Sequence, residues 1–173
     1  TKLASASWDK TVKIWNAVTG ELILTLNGHS LFFVWSVNWS PDCTKLVSGG
    51  DGSGSEEDSR ENPGEILVWD AATGVKLFEL KGHSKRVTSV VWSPEGSQLA
   101  SASYDKTAIV WDSISGEQVA TLKGHTDALR GVAWMQKGDS DSETGVGSNM
   151  LVTASDDKTL IVWDGATGQQ LKL

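Results

Sequence analysis

The sequence predicts an all-β repeat protein built from four-stranded antiparallel meanders, about four of them, the first incomplete. Two recurrences carry that reading. A strand-like run ends four times on one signature, Ile14-Trp15-Asn16, Val68-Trp69-Asp70, Val110-Trp111-Asp112 and Val162-Trp163-Asp164, each followed by a turn closing on Gly20, Gly74, Gly116 or Gly168. Between consecutive signatures lies a Gly-His pair: Gly28-His29, Gly82-His83 and Gly124-His125. Self-similarity on this scale means stacked units, none of which can bury its apolar face alone. No segment shows a helical apolar period.

Short β-branched and aromatic runs bounded by Gly, Asp, Asn and Ser give the strands in order. Unit 1 (1–26) supplies Leu3–Ser7, Thr11–Asn16 and Leu22–Leu26, and lacks an opening strand. Unit 2 (27–80) supplies Phe33–Trp39, Lys45–Ser48, Ile66–Asp70 and Lys76–Leu80, with an insertion at 52–64. Unit 3 (81–122) is the cleanest, with Arg86–Trp92, Gln98–Ser103, Thr107–Asp112 and Gln118–Leu122. Unit 4 (123–173) supplies Leu129–Trp134, Met150–Ala154, Thr159–Asp164 and Gln169–Leu173, with an insertion at 136–148. Ser40-Pro41-Asp42 and Ser93-Pro94-Glu95-Gly96 are turns, proline presetting φ. Both insertions are rich in Gly, Ser and acid, a composition that predicts mobile loops.

The signature tryptophans stand 54, 42 and 52 residues apart, a period near 42 with two interruptions. With the Trp-Asp and Gly-His motifs, this resembles the WD40 repeat (β-transducin-like) family over nearly the whole chain. The resemblance implies WD40-type β-propeller blades, and a ring that is most often seven-bladed. About four blades therefore read as a fragment of a larger propeller. Further blades in the parent chain, or self-association, would cover the open edges.

Charge narrows the partners. Residues 51–61 contribute −4 and residues 139–143 contribute −3 to a net charge of −7, leaving a neutral scaffold. That disfavours nucleic acid, which calls for clustered Lys and Arg. The single cysteine, Cys43, excludes an internal disulfide and suits a reducing, intracellular setting, cytoplasmic or nuclear. No apolar run is long enough for a membrane span.

Seven of the nine tryptophans recur by position and read as packing between blades: Trp15, Trp69, Trp111 and Trp163 on third strands, Trp39, Trp92 and Trp134 on first strands. Trp8 and Trp35 have no counterparts. His83, Ser101 and Asp105 have the residue types of a hydrolase triad, but His125, Thr153 and Asp157 repeat the set in the next blade. An enzyme needs one such constellation, not a copy per blade. By resemblance these residues, with Trp111 and Trp163, form the family's hydrogen-bonded structural tetrad. Blade 1 retains Ser5, Asp9 and Trp15. Blade 2 departs from the pattern: Ser48-Gly-Gly-Asp51 is one residue short and lacks the following Lys-Thr. Its tetrad is thus in question, and blade 2 is expected to be the least rigid.

No catalytic residues, metal or cofactor are predicted. Cys43 has no histidine near it in sequence to activate it. The acidic stretches lack the Gly and Glu positions of a calcium loop. Ser55 and Ser140, each followed by acidic residues, fit acidophilic-kinase sites. By resemblance, a ubiquitin-ligase substrate receptor would carry Arg or Lys two residues after Trp-Asp. Ala72, Ile114 and Ala166 stand there instead.

The family resemblance places partners on the face bearing the Gly-His loops and the turns between second and third strands. Carried over by position, the candidates are Trp8, Phe33, Trp35, Arg86, Thr88, Tyr104, Arg130 and Asp156, with Ala128 at one further position. Aromatics and Arg are the types enriched in interfaces. The reading is a non-catalytic scaffold that docks a protein or peptide. The alternatives are a regulatory WD40 region of a larger signalling protein or enzyme and, less favoured, a subunit of a nucleic-acid complex. The first insertion is expected on the docking face and the second on the opposite one.

Overall fold

The computed structural model describes residues 1–30, 33–51, 62–135 and 150–171. Its strands form four antiparallel sheets. The first is β1 (Lys2–Ala6), β2 (Thr11–Asn16) and β3 (Leu22–Asn27), in that order. The second is β4 (Val34–Trp39), β5 (Lys45–Asp51), β6 (Gly64–Asp70) and β7 (Lys76–Leu80). The third is β8 (Val87–Trp92), β9 (Gln98–Ser103), β10 (Thr107–Asp112) and β11 (Gln118–Lys123). The fourth is β12 (Leu129–Trp134), β13 (Met150–Ser155) and β14 (Leu160–Asp164).

Most strands match the sequence expectation to within a residue or two. In the second sheet, β5 runs on to Asp51 and β6 begins at Gly64, pairing residue for residue, so the ladder reaches further into the insertion than expected. The expected last strand, Gln169–Leu173, is reduced to a bridge between Gln170 and Trp163, and its final two residues lie outside the described ones. The core of both insertions, and with it Ser55 and Ser140, also lies outside them.

The core sits between sheets, in three clusters for three junctions. Ile66 and Val68 of β6 pack toward the third sheet, against Val87, Val90 and Trp111. Leu67 and Trp69 of the same strand pack toward the first, against Val12, Ile14 and Leu26. In the third sheet Ile109 and Trp111 face back, while Ala108 and Val110 face forward to Leu129, Leu151 and Trp163. Alternate side chains of one strand thus serve opposite neighbours. That two-sided burial is why these strands read as unbroken apolar runs. Trp39, Trp92 and Trp134 join the three junctions in turn.

First strands also touch directly across the junctions: Val90 N–H donates to Ser36 Oγ at 3.1 Å, and Thr88 Oγ1 donates to the Leu129 carbonyl at 2.9 Å. Each of these strands carries a bulge at the same place. Pairing skips Trp35 in β4, Thr88 in β8 and Arg130 in β12. A bulged residue leaves the ladder and its side chain is re-aimed.

Candidate interaction surface

The scaffold beneath the surface is a set of buried relays. In the third sheet His83 Nδ1 lies 2.8 Å from Asp105 Oδ2 and Nε2 lies 2.8 Å from Ser101 Oγ, which accepts Trp111 Nε1–H at 2.9 Å. With Nδ1–H donated to the carboxylate, Nε2 accepts the serine hydroxyl. The fourth sheet repeats the relay through Asp157, His125, Thr153 and Trp163, every link 2.8 Å. The relay ties the Gly-His loop to the central strands. The adjoining glycine is required by contact: a Cβ on Gly82 would lie 2.8 Å from the Trp111 ring. The arrangement matches a hydrolase triad atom for atom, yet the Ser101 hydroxyl is fully buried and the set recurs, which makes it structural.

The second sheet answers the question over its tetrad. His29 Nε2 lies 2.7 Å from Ser48 Oγ, Trp69 Nε1–H reaches that oxygen at 2.8 Å, and Nδ1 meets Glu65 Oε2 at 2.8 Å. Glu65, at the start of β6 beyond the insertion, supplies the carboxylate that the Ser48–Asp51 segment cannot. Burial raises the pKa of Glu65 and Asp105, but hydrogen bonds from their histidines and from Ser30 and Thr107 outweigh it, holding both carboxyls below their ordinary range. In the first sheet Trp15 Nε1–H donates to Ser5 Oγ at 2.9 Å, while exposed Asp9 binds Thr11 and Lys13.

Seven of the eight candidate contact residues form one strip across all four sheets. Trp8, Phe33 and Trp35 cluster with ring centroids 4.6, 5.4 and 5.8 Å apart. The Arg86 guanidinium carbon lies 4.4 Å from the Trp35 ring centroid and 5.4 Å from that of Tyr104; the Arg130 carbon lies 4.7 Å from Tyr104. Arg130 closes on Asp156 through Nε and Nη2 at 2.6–2.9 Å, and donates through Nη1 to the Tyr104 hydroxyl. Trp8 is 63% exposed and Trp35 36%.

Arg86 differs from its neighbours: it is 7% exposed, and its Nε–H donates to buried Asp51 at 2.6 Å. It therefore holds the strip from beneath. Thr88, the eighth candidate, turns inward to bond the Ala102 and Leu129 carbonyls, and Ala128 is buried.

A family model for the WD domain, G-beta repeat, matches residues 1–16, 20–53, 74–112 and 116–164, well over half of the chain. The chain belongs to the WD40 repeat family. Proteins of this family are in general non-catalytic scaffolds for protein interactions.

Among WD40 relatives, a transcriptional corepressor of Arabidopsis thaliana, LEUNIG_HOMOLOG, is 32% identical over 135 residues, 61% of this chain and 17% of that protein. The anaphase-promoting complex subunit cdc20 of Dictyostelium discoideum is 33% identical over 57% of this chain and 18% of its own length. The small ribosomal subunit protein RACK1y of Oryza sativa is 32% identical over 60% and 27% respectively. The chain thus spans under a third of each of these WD40 relatives.

Two residues that matter here were not among the sequence candidates. The sequence marks Asp51 as part of an acidic stretch and as a misfit of spacing, and the misfit is the signal of its separate role. Glu65 had none, because its role depends on β6 bringing it back beside His29. Among the described residues no group of three or more His, Cys, Asp or Glu is placed to hold a metal. Among the described residues no helix is long and apolar enough to cross a membrane.

Proposed function

We propose that this WD40 region is a non-catalytic scaffold that docks a protein or peptide partner on the strip from Trp8 to Asp156. The observation that carries the reading is the continuity of that strip, in which exposed aromatic rings and an arginine from four blades meet on one face. Such side chains are the usual anchors of protein interfaces. The histidines do not compete with this reading, since each is consumed in a buried relay. The relatives named above, a corepressor, an anaphase-promoting complex subunit and a ribosomal subunit protein, favour a place within an intracellular assembly, nuclear or cytoplasmic. The whole protein is then a larger propeller, of which this region, in units 1–26, 27–80, 81–122 and 123–173, supplies part.

The test is affinity capture from cell extract with the intact parent protein and with a Trp8→Ala/Trp35→Ala/Arg130→Ala variant of unchanged thermal stability. A protein retained by the parent and lost by the variant supports the site. Equal capture by both removes it.

A further inference from the structure

The strip carries its own counter-charges. Arg86 is neutralised by Asp51 beneath it, and Arg130 by Asp156 beside it, at closest approaches of 2.6 Å in both pairs. The side-on fork of Arg130, Nε with Nη2, is filled by Asp156, and Nη1 already donates to Tyr104. A carboxylate or phosphate from a partner would have to displace Asp156 or settle against its charge. Asp156 keeps that charge, because the hydrogen bond from Arg130 holds its carboxyl below the ordinary range. The plane of the guanidinium is another matter. The Arg130 side chain is still 54% exposed, and a planar cation offers its face to a ring without giving up any N–H. Along the strip, Trp35, Arg86, Tyr104 and Arg130 alternate ring and guanidinium, and the alternation ends on the exposed guanidinium.

Resting on the docking surface proposed above, we infer that the strip takes an aromatic-bearing peptide segment without acidic or phosphorylated residues and lays one of its rings on the exposed guanidinium of Arg130. The rings of Trp8 and Trp35 at the other end receive the apolar remainder of the segment.

The experiment is selection of a displayed random dodecapeptide library on the full chain, on a Trp8→Ala/Trp35→Ala variant and on Asp156→Asn. The expected wild-type pool is enriched in Trp, Tyr and Phe and depleted in Asp and Glu, and the enrichment collapses on the double variant. Asp156→Asn, which removes the counter-charge of Arg130, gains acidic peptides that the wild type rejects. A selected aromatic peptide binds about two- to fivefold more weakly to Arg130→Lys, which keeps the charge and loses the plane. A wild-type pool dominated by acidic peptides, with aromatics at library frequency, overturns the inference while leaving docking at the strip intact. Identical pools on wild type and double variant, or no enrichment at all, remove the docking surface itself.

Discussion

Asp51 Oδ1 accepts both the Nε–H of Arg86 at 2.6 Å and the indole N–H of Trp35 at 3.2 Å, so one buried carboxylate fixes two members of the strip. It does so across a junction, since Asp51 and Trp35 belong to the second sheet and Arg86 precedes the third. Surface rings held this way lose little freedom on binding, which is how preorganisation favours affinity.

Asp51→Asn keeps an acceptor for the indole and removes the buried counter-charge of Arg86. The expected loss is about 3–5 kcal/mol, the usual cost of breaking a buried pair from one side. Replacing both, as Asp51→Asn with Arg86→Met, keeps the acceptor for Trp35 and costs less than Asp51→Asn alone, because the arginine's charge is removed with that of its carboxylate. Urea denaturation of Asp51→Asn, Arg86→Met and the Asp51→Asn/Arg86→Met double variant gives the double-mutant cycle. A loss under about 1 kcal/mol for Asp51→Asn would show that the pair is not the clasp described here.

Acid should weaken the fold through the tetrad carboxylates. Glu65 and Asp105 have pKa values lower in the folded chain than the unfolded values of about 4.3 and 3.9. A depressed folded pKa contributes stability that is present above the unfolded value and lost as pH falls through the folded one. The urea midpoint is therefore expected to be flat near neutrality and to fall below about pH 4.5. Glu65→Gln lowers the midpoint at pH 7 and shallows the acid slope. An unchanged slope in that variant would mean that Glu65 does not contribute through its charge.

The repeat made most of this architecture legible. Wherever a residue type recurs with the Trp-Asp signature, as His83, Ser101 and Asp105 do, its position picks it out and the family resemblance implies its partners. Spacing failed where the recurrence broke, at Asp51, and the structure shows a substitution of parts there: Glu65 takes the tetrad role and Asp51 passes to Arg86. The strip was legible as a set of positions, though not its depth. Arg86 and Trp35 both read as surface residues, but the bulge of β4 turns Trp35 outward, while Arg86 sits just before β8 and folds in over Asp51. A bulge leaves no mark in a hydrophobic pattern, because only the partner strand reveals the extra residue.

Cys43 occupies a position better suited to glycine. Its φ is 58°, and its N–H donates to the Ser40 carbonyl at 2.8 Å. In the next blade Gly96 holds the same turn with φ 74° and donates to Ser93 at 2.9 Å. A left-handed conformation costs a residue with a Cβ about 1–2 kcal/mol, while glycine gives back about 0.5–1 kcal/mol through its freer unfolded state. Cys43 is exposed, so its thiol contributes little packing in return. Cys43→Gly is therefore expected to stabilise the chain by about 0.5–1 kcal/mol, a rise in Tm of about 1–4 °C. Gly96→Ala should move Tm the other way by a similar amount. Calorimetry on both variants checks the pair, and a fall in Tm for Cys43→Gly would show that the side chain matters more than the strain it imposes.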